Sequence, residues 1–251
     1  MSGDMGNGEV IIRNNQISAS NTQRLAAARH AGGESLWILT NDPFSNRFKS
    51  WLITCDGLQP NPVVSTAGET LGDYLTKWGT MTGIMKVSPD GKQLCVVHRG
   101  DVGLNGSPDS LSFFQLFDFD NATGKISNPR IINNPAYVES ASCEYSPDSR
   151  FLYVFGLAGQ PVRYFLDQFE AKLATTAEIA ASRTRISYCV GSDCNNDFFG
   201  MQAAPDGKIY LNHNATKLSV ISRPSVKAPG CQLEMDKIDL GGRNGKWGLP
   251  S

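Results

Sequence analysis

Apolar residues recur along this chain on two length scales. On the shorter one they alternate with polar ones: Met85 and Val87 flank Lys86, Cys143 and Tyr145 flank Glu144, and Met201 and Ala203 flank Gln202. A period of two marks a strand with one buried face. On the longer scale, an apolar stretch runs into a tight turn and out into a second apolar stretch four times. The turns are His30-Ala31-Gly32-Gly33-Glu34, Ser88-Pro89-Asp90-Gly91-Lys92, Ser146-Pro147-Asp148-Ser149-Arg150 and Ala204-Pro205-Asp206-Gly207-Lys208, at a constant interval of 58 residues. A fixed period predicts stacked units, each burying its apolar face on a neighbour.

The turn chemistry predicts antiparallel hairpins. Pro sets φ for the second turn position, Asp accepts hydrogen bonds from the following backbone, and Gly takes the left-handed conformation that completes a bulged hairpin. Ser149 stands where the other turns carry Gly, so it is expected to adopt a positive φ at a cost of about 1 kcal/mol. On this reading Ser149→Gly stabilises the fold. Each hairpin is followed by a third strand-like run (Arg47 to Thr54, Ser112 to Phe119, Val162 to Leu166, Lys217 to Ile221). A fourth extended piece comes next (Val63 to Ser65, Ile131-Ile132, Arg185 to Cys189, Leu233 to Leu240). The one segment with helical composition is Asp167 to Ser182, which reads equally well as an irregular loop.

Four short antiparallel strands per repeat predict an all-β fold, a β-propeller of about four blades, forming either a closed ring or part of one. A β-sandwich with accidental periodicity is the alternative. The whole chain, 1–251, reads as a single domain, with repeat units at about 22–79, 80–136, 137–195 and 196–251. Residues 1–21 contribute an extra strand, Glu9-Val10-Ile11-Ile12. It either closes onto the C-terminal blade or is the remnant of another blade.

Composition narrows the partners. With 23 basic and 24 acidic residues and a net charge of −1, the chain has no electrostatic footprint for nucleic acid or an anionic membrane. No stretch has the length of a membrane span, and the start MSGDMGNGEV lacks the basic and apolar regions of a signal peptide. The expectation is a protein that stays in the cytoplasm or whose export signal lies outside this chain. Cys55, Cys95 and Cys143 read as free thiols, the last two as small buried hydrophobes. Cys189 and Cys194 bracket a short loop that a disulfide would close; Cys189 with Cys231, or two free thiols, are the alternatives. The C-x4-C spacing is a poor zinc signature, and no metal or cofactor is expected.

An ordered set of motifs adds a resemblance. It comprises Gly8-Glu9-Val10, Trp37-Ile38-Leu39-Thr40, Ser45-Asn46-Arg47-Phe48, Met85 to Gly91, Leu116 to Asp120 with Thr123-Gly124, Glu144 to Asp148 with Leu152-Tyr153-Val154, Gln202 to Tyr210, Leu218 to Ile221 and Gly248-Leu249-Pro250. In order and spacing it resembles the propeller domain of large secreted Bacteroidota proteins of the gliding-motility-associated, type IX secretion class. The resemblance implies a non-catalytic domain in an extracellular or cell-surface protein. It also implies further blades before Gly8, other domains of a longer parent protein as partners, and an open sheet edge that invites self-association.

The candidate chemistry lies on loops. In a propeller blade, the loop after the second strand and the loop between blades open on the face opposite the repeated turns. Asp42, His98, Arg99, Asp101, Asn212 and His213 are thereby expected on one rim, where a protein or glycan would bind. A propeller enzyme of the lactonase or lyase type, working at the channel mouth with Asp42, His98, Arg99, Asp101 and His213, is the alternative function. His30 falls in a repeated turn on the other face, so the three histidines do not converge on a metal. Asp118, Asp120 and Asn121 lack the rest of any calcium loop and read as a turn completed by Gly124. Trp78 and Trp247 are placed either to stack on a sugar or to be buried between blades.

Overall fold

The computed structural model describes residues 16–18, 21–69, 83–97, 113–133, 139–158, 163–190, 200–212 and 216–245. The strand expected at Glu9 to Ile12 lies outside them, as do Trp78, Trp247 and Cys194. Among the described residues, seventeen strands form four antiparallel sheets. The first sheet holds β1 (Leu25–Arg29), β2 (Leu36–Asn41), β3 (Arg47–Thr54), β4 (Gly57–Leu58) and β5 (Val63–Thr66); β4 and β5 pair with opposite ends of β3 and together make its outer strand. The second holds β6 (Met85–Val87), β7 (Gln93–Val97), β8 (Phe113–Asp120) and β9 (Lys125–Asn133). The third holds β10 (Glu139–Tyr145), β11 (Phe151–Ala158), β12 (Arg163–Glu170) and β13 (Thr184–Val190). The fourth holds β14 (Gly200–Ala203), β15 (Ile209–Asn212), β16 (Lys217–Ile221) and β17 (Leu233–Asp239). Each sheet is a meander, and the inner strands β1, β6, β10 and β14 adjoin in that order. The chain is a four-bladed β-propeller.

The repeated turns form as their chemistry demands. Ser88 and Ser146 each donate their hydroxyl to the aspartate two residues on, at 2.6 Å, and accept a backbone N–H from Gln93 and Phe151, both at 2.9 Å. Gly91 and Gly207 hold φ of 68° and 78°, and Ser149 holds 62°. The positive φ expected at Ser149 is therefore present. Its hydroxyl, however, is buried and accepts the N–H of Asp90 from the neighbouring blade at 3.0 Å. The side chain thus returns much of what its backbone conformation costs, and the gain expected from Ser149→Gly is corrected to near zero.

Among the described residues, three apolar clusters hold the blades together. Trp37, Leu39 and Phe48 of the first blade meet Leu94, Val96 and Phe117 of the second; Cys95, Val97 and Phe114 of the second meet Cys143, Leu152 and Val154 of the third; Tyr153 and Phe155 of the third meet Met201, Ile209 and Leu211 of the fourth. Among the described residues no such cluster joins the fourth blade to the first.

The expected helix is much shorter than its composition suggested. Asp167 to Glu170 continue β12, in register with Val154 to Phe151, and only Thr176–Ala181 form a helix, α1. Thr175 starts it with a reciprocal capping box to Glu178, and Ile179 pins it by burial beside Ile132. The cysteines resolve too. Cys55, Cys95, Cys143 and Cys231 are free thiols, and Cys189 is in a disulfide. That overturns the Cys189–Cys231 pairing and a free Cys189.

Candidate functional site

At the propeller axis the inner strands contribute unlike polar residues at one repeat position: Lys86, Glu144 and Gln202, 58 residues apart. The Lys86 ammonium lies 2.9 Å from the Glu144 carboxylate and donates to Gln202 Oε1 at 2.8 Å. Glu144 also accepts the N–H of Tyr145 at 3.0 Å and of Ala203 at 3.2 Å. Alternation on a strand explains the placement: with Met85, Cys143 and Met201 turned into the blade interfaces, the intervening side chains face the axis. One cation thus links three blades. The equivalent position of the first blade is Ala28, which faces the second blade's core instead. Sequence reading noted these three residues only as the polar half of an alternation. Their shared repeat position was the signal that could have found them.

The face carrying the repeated turns is occupied by bonds between blades. Ala31 N–H and Trp37 Nε1–H both donate to Asn121 O, at 3.0 and 2.9 Å. Gln93 Nε2 donates to Ala171 O at 2.8 Å, and Lys172 pairs with Asp90. Arg150 Nη2 and Tyr153 Oη donate to Ser225 O and Pro224 O at 2.6 and 2.8 Å. His30 belongs to this network, as expected. Its Nδ1 accepts the Gly32 N–H at 2.9 Å and its Nε2 lies 3.0 Å from Ala122 O, so Nε2 carries the proton. In the same turn-side loops, Asp120 accepts from Ala122 N and Thr123 Oγ1 at 3.0 and 2.7 Å, while Asp118 is held by Arg130 and Asn128 at 2.6 and 2.9 Å. Asp120 therefore closes an Asx-type turn, with Gly124 at φ 75°.

The opposite rim holds Asp42 and Asn212; His98, Arg99, Asp101 and His213 lie outside the described residues. Asp42 pairs with Lys49 at 2.6 Å and lies 3.8 Å from Arg47, an anchor for the β2–β3 loop. Asn212 ends β15 and is only 1% exposed, with Gly245 so close that a Cβ there would fall 2.1 Å from its Oδ1. A residue that sequence reading missed sits on this side of the first blade junction: Arg24 is 1% exposed, with Nε 3.3 Å from Val97 O and Nη1 3.5 Å from Asn41 Oδ1. Burial pulls its guanidinium down to about 10. Gly83 admits it, since a Cβ there would meet Val97 O at 2.3 Å and Arg24 Nε at 2.9 Å. At the perimeter, a groove of about 740 Å³ separates β5 from β9, floored by the bond from Ile126 N to Ser65 Oγ at 3.0 Å. Among the described residues no cluster of histidine, cysteine and carboxylate side chains is arranged to hold a metal.

Neither the models of known protein families nor the sequences of curated proteins match the chain. Solved structures do. A putative 6-phosphogluconolactonase from Bacteroides uniformis aligns with 83% of the chain at 15% identity and a TM-score of 0.48. Hydrazine synthase of Kuenenia stuttgartiensis aligns with 77% at 18% identity and a TM-score of 0.47. The β-propeller domain of the Trilobed protease from Pyrococcus furiosus, described as having an open velcro topology, aligns with 80% at 11% identity and a TM-score of 0.37. The chain spans about half the length of each, 52%, 51% and 53% respectively. Similarity this distant carries no activity across to this chain.

Proposed function

We propose that this propeller is a non-catalytic interaction module of a secreted or cell-surface bacterial protein, of the gliding-motility-associated, type IX secretion class its sequence resembles. Its binding surface is the rim opposite the repeated turns, and its partner a protein or glycan. The observation that carries this reading is the structural use of the turn-side face. Its polar groups bond between blades, from Asn121 to Ser225, which directs the search for a binding surface to the opposite rim. Asp42 is engaged by Lys49, which disfavours it as a catalytic acid or base, and Asn212, being buried, supports the rim rather than touching a ligand. The disulfide at Cys189 suits an oxidising compartment.

An oligosaccharide array probed with the intact protein tests the glycan form of the proposal. Saturable binding that Arg99→Ala or His213→Ala abolishes and Lys172→Ala, on the turn face, retains is the expected result. Hydrolysis of 6-phosphogluconolactone that Asp101→Asn eliminates would replace this reading with the lactonase alternative.

A further inference from the structure

The β2–β3 loop of the first blade, on the rim opposite the repeated turns, is fastened at both ends. Asn41 Nδ2 donates to Arg47 O at 3.1 Å and to Ser45 O at 3.4 Å, and the Asp42 N–H donates to Arg47 O at 2.9 Å. The Arg47 N–H donates to Ser45 Oγ at 3.1 Å, Asn46 Nδ2 donates to Gly68 O at 2.9 Å, and Lys49 holds the Asp42 carboxylate. Between these anchors, directly after Pro43, Phe44 holds a φ of 53° and is 51% exposed. A bulky residue in the left-handed region costs stability that glycine would not.

The fold gains little from the side chain in return. Ser149 and Asn128 share that backbone conformation, and each puts its side chain into a bond with a neighbour. The Phe44 ring makes no aromatic or cation contact among the described residues and stands half in water. An exposed aromatic ring kept in a strained conformation by a rigid loop is a group whose use lies outside the fold. Rigidity also lowers the entropic cost of binding through it.

The rest of the loop indicates the ligand. Asp42, Ser45, Asn46 and Arg47 are all polar, and the Arg47 side chain is 52% exposed, with Nε 3.8 Å from Asp42. The core of a protein interface gathers several apolar residues and excludes charge. One ring set among hydroxyl, amide and guanidinium groups suits a sugar, which is apolar on its C–H face and hydroxylated at its edge. We propose that Phe44 is the stacking platform for a pyranose ring of a glycan, with the Arg47 guanidinium donating to the sugar's hydroxyls. This site rests on the glycan form of the rim reading and adds to it the group that holds the sugar.

The oligosaccharide array, followed by calorimetric titration with the oligosaccharide it retains best, tests the proposal on the intact chain. Phe44→Ala is expected to weaken binding about tenfold or more, and Phe44→Leu, which keeps apolar volume without a π face, by as much. Phe44→Trp retains binding, and Arg47→Ala weakens it. Phe44→Gly separates binding from stability: it loses the glycan while the melting temperature holds or rises by up to about 4 °C, as the strain is relieved. Binding that Arg99→Ala or His213→Ala abolishes but Phe44→Ala leaves intact overturns this site and spares the rim reading. An array without binding overturns the site together with the glycan form of that reading. Binding that survives Phe44→Leu makes the residue a plain apolar anchor and overturns the sugar assignment. A fall in melting temperature of more than about 3 °C in Phe44→Gly makes the ring structural and overturns the site as well.

Discussion

Ser149 shows how two effects of similar size decide a position between them. Its φ of 62° costs about 1 kcal/mol relative to glycine, while its hydroxyl satisfies a neighbouring blade's N–H, worth about the same. Ser149→Gly is therefore expected to shift unfolding free energy by less than about 0.5 kcal/mol. Ser149→Ala keeps the strain and orphans the Asp90 N–H, and should cost about 1–2 kcal/mol; urea titration of both variants separates the two contributions. The strain was legible in the sequence because three aligned turns carry glycine and one does not. The compensating bond was not, because it depends on how one blade's turn nests against the next. The bonds of Lys86 were hidden for the same reason: its repeat position shared with Glu144 and Gln202 is visible in the sequence, but only the closeness of β6, β10 and β14 brings the three side chains together.

Among the elements, the turns were the easiest to read, since each needs particular residues at particular offsets and states its own geometry. The helix was the hardest. Alanine and leucine between Asp167 and Ser182 fit helix and half-buried strand alike, and what settles Asp167 to Glu170 is pairing with β11, a contact remote in sequence. The turns also carry a pH response. Burial opposes ionisation of Asp90, but bonds from Lys172, Ser88 and the Lys92 N–H outweigh it; at Asp148, bonds from Ser146 and Arg150 do the same. Both carboxyls are held below the usual carboxylate range. A carboxyl depressed in the folded state stabilises it above the unfolded value of about 4, and that contribution disappears as pH falls through and below it. Melting temperature should thus drop in acid below about pH 4.5. Asp148→Asn, which keeps the acceptor oxygen and removes the charge, should melt lower at pH 6 and show a shallower acid drop, the effect staying under about 1 kcal/mol because the Arg150 pair is solvated.

For the whole molecule, the period predicted the architecture. The polar cluster at the axis offers a direct test of how the blades are coupled. Lys86→Met should destabilise the protein by roughly 1–3 kcal/mol by leaving the Glu144 carboxylate unpaired, and Glu144→Gln in the same chain should recover part of the loss; a double-mutant cycle in urea measures the coupling. Absence of any coupling would reduce the cluster to solvated side chains that happen to meet. The Lys86–Gln202 bond has a consequence for how the fold comes apart. Units that touch only their nearest neighbours melt from the ends inward, one after another, like a zipper. A bond from the second blade to the fourth skips the third, so fraying of the last blade also breaks a contact of the second, and the two are coupled by about 1 kcal/mol beyond what neighbouring blades share.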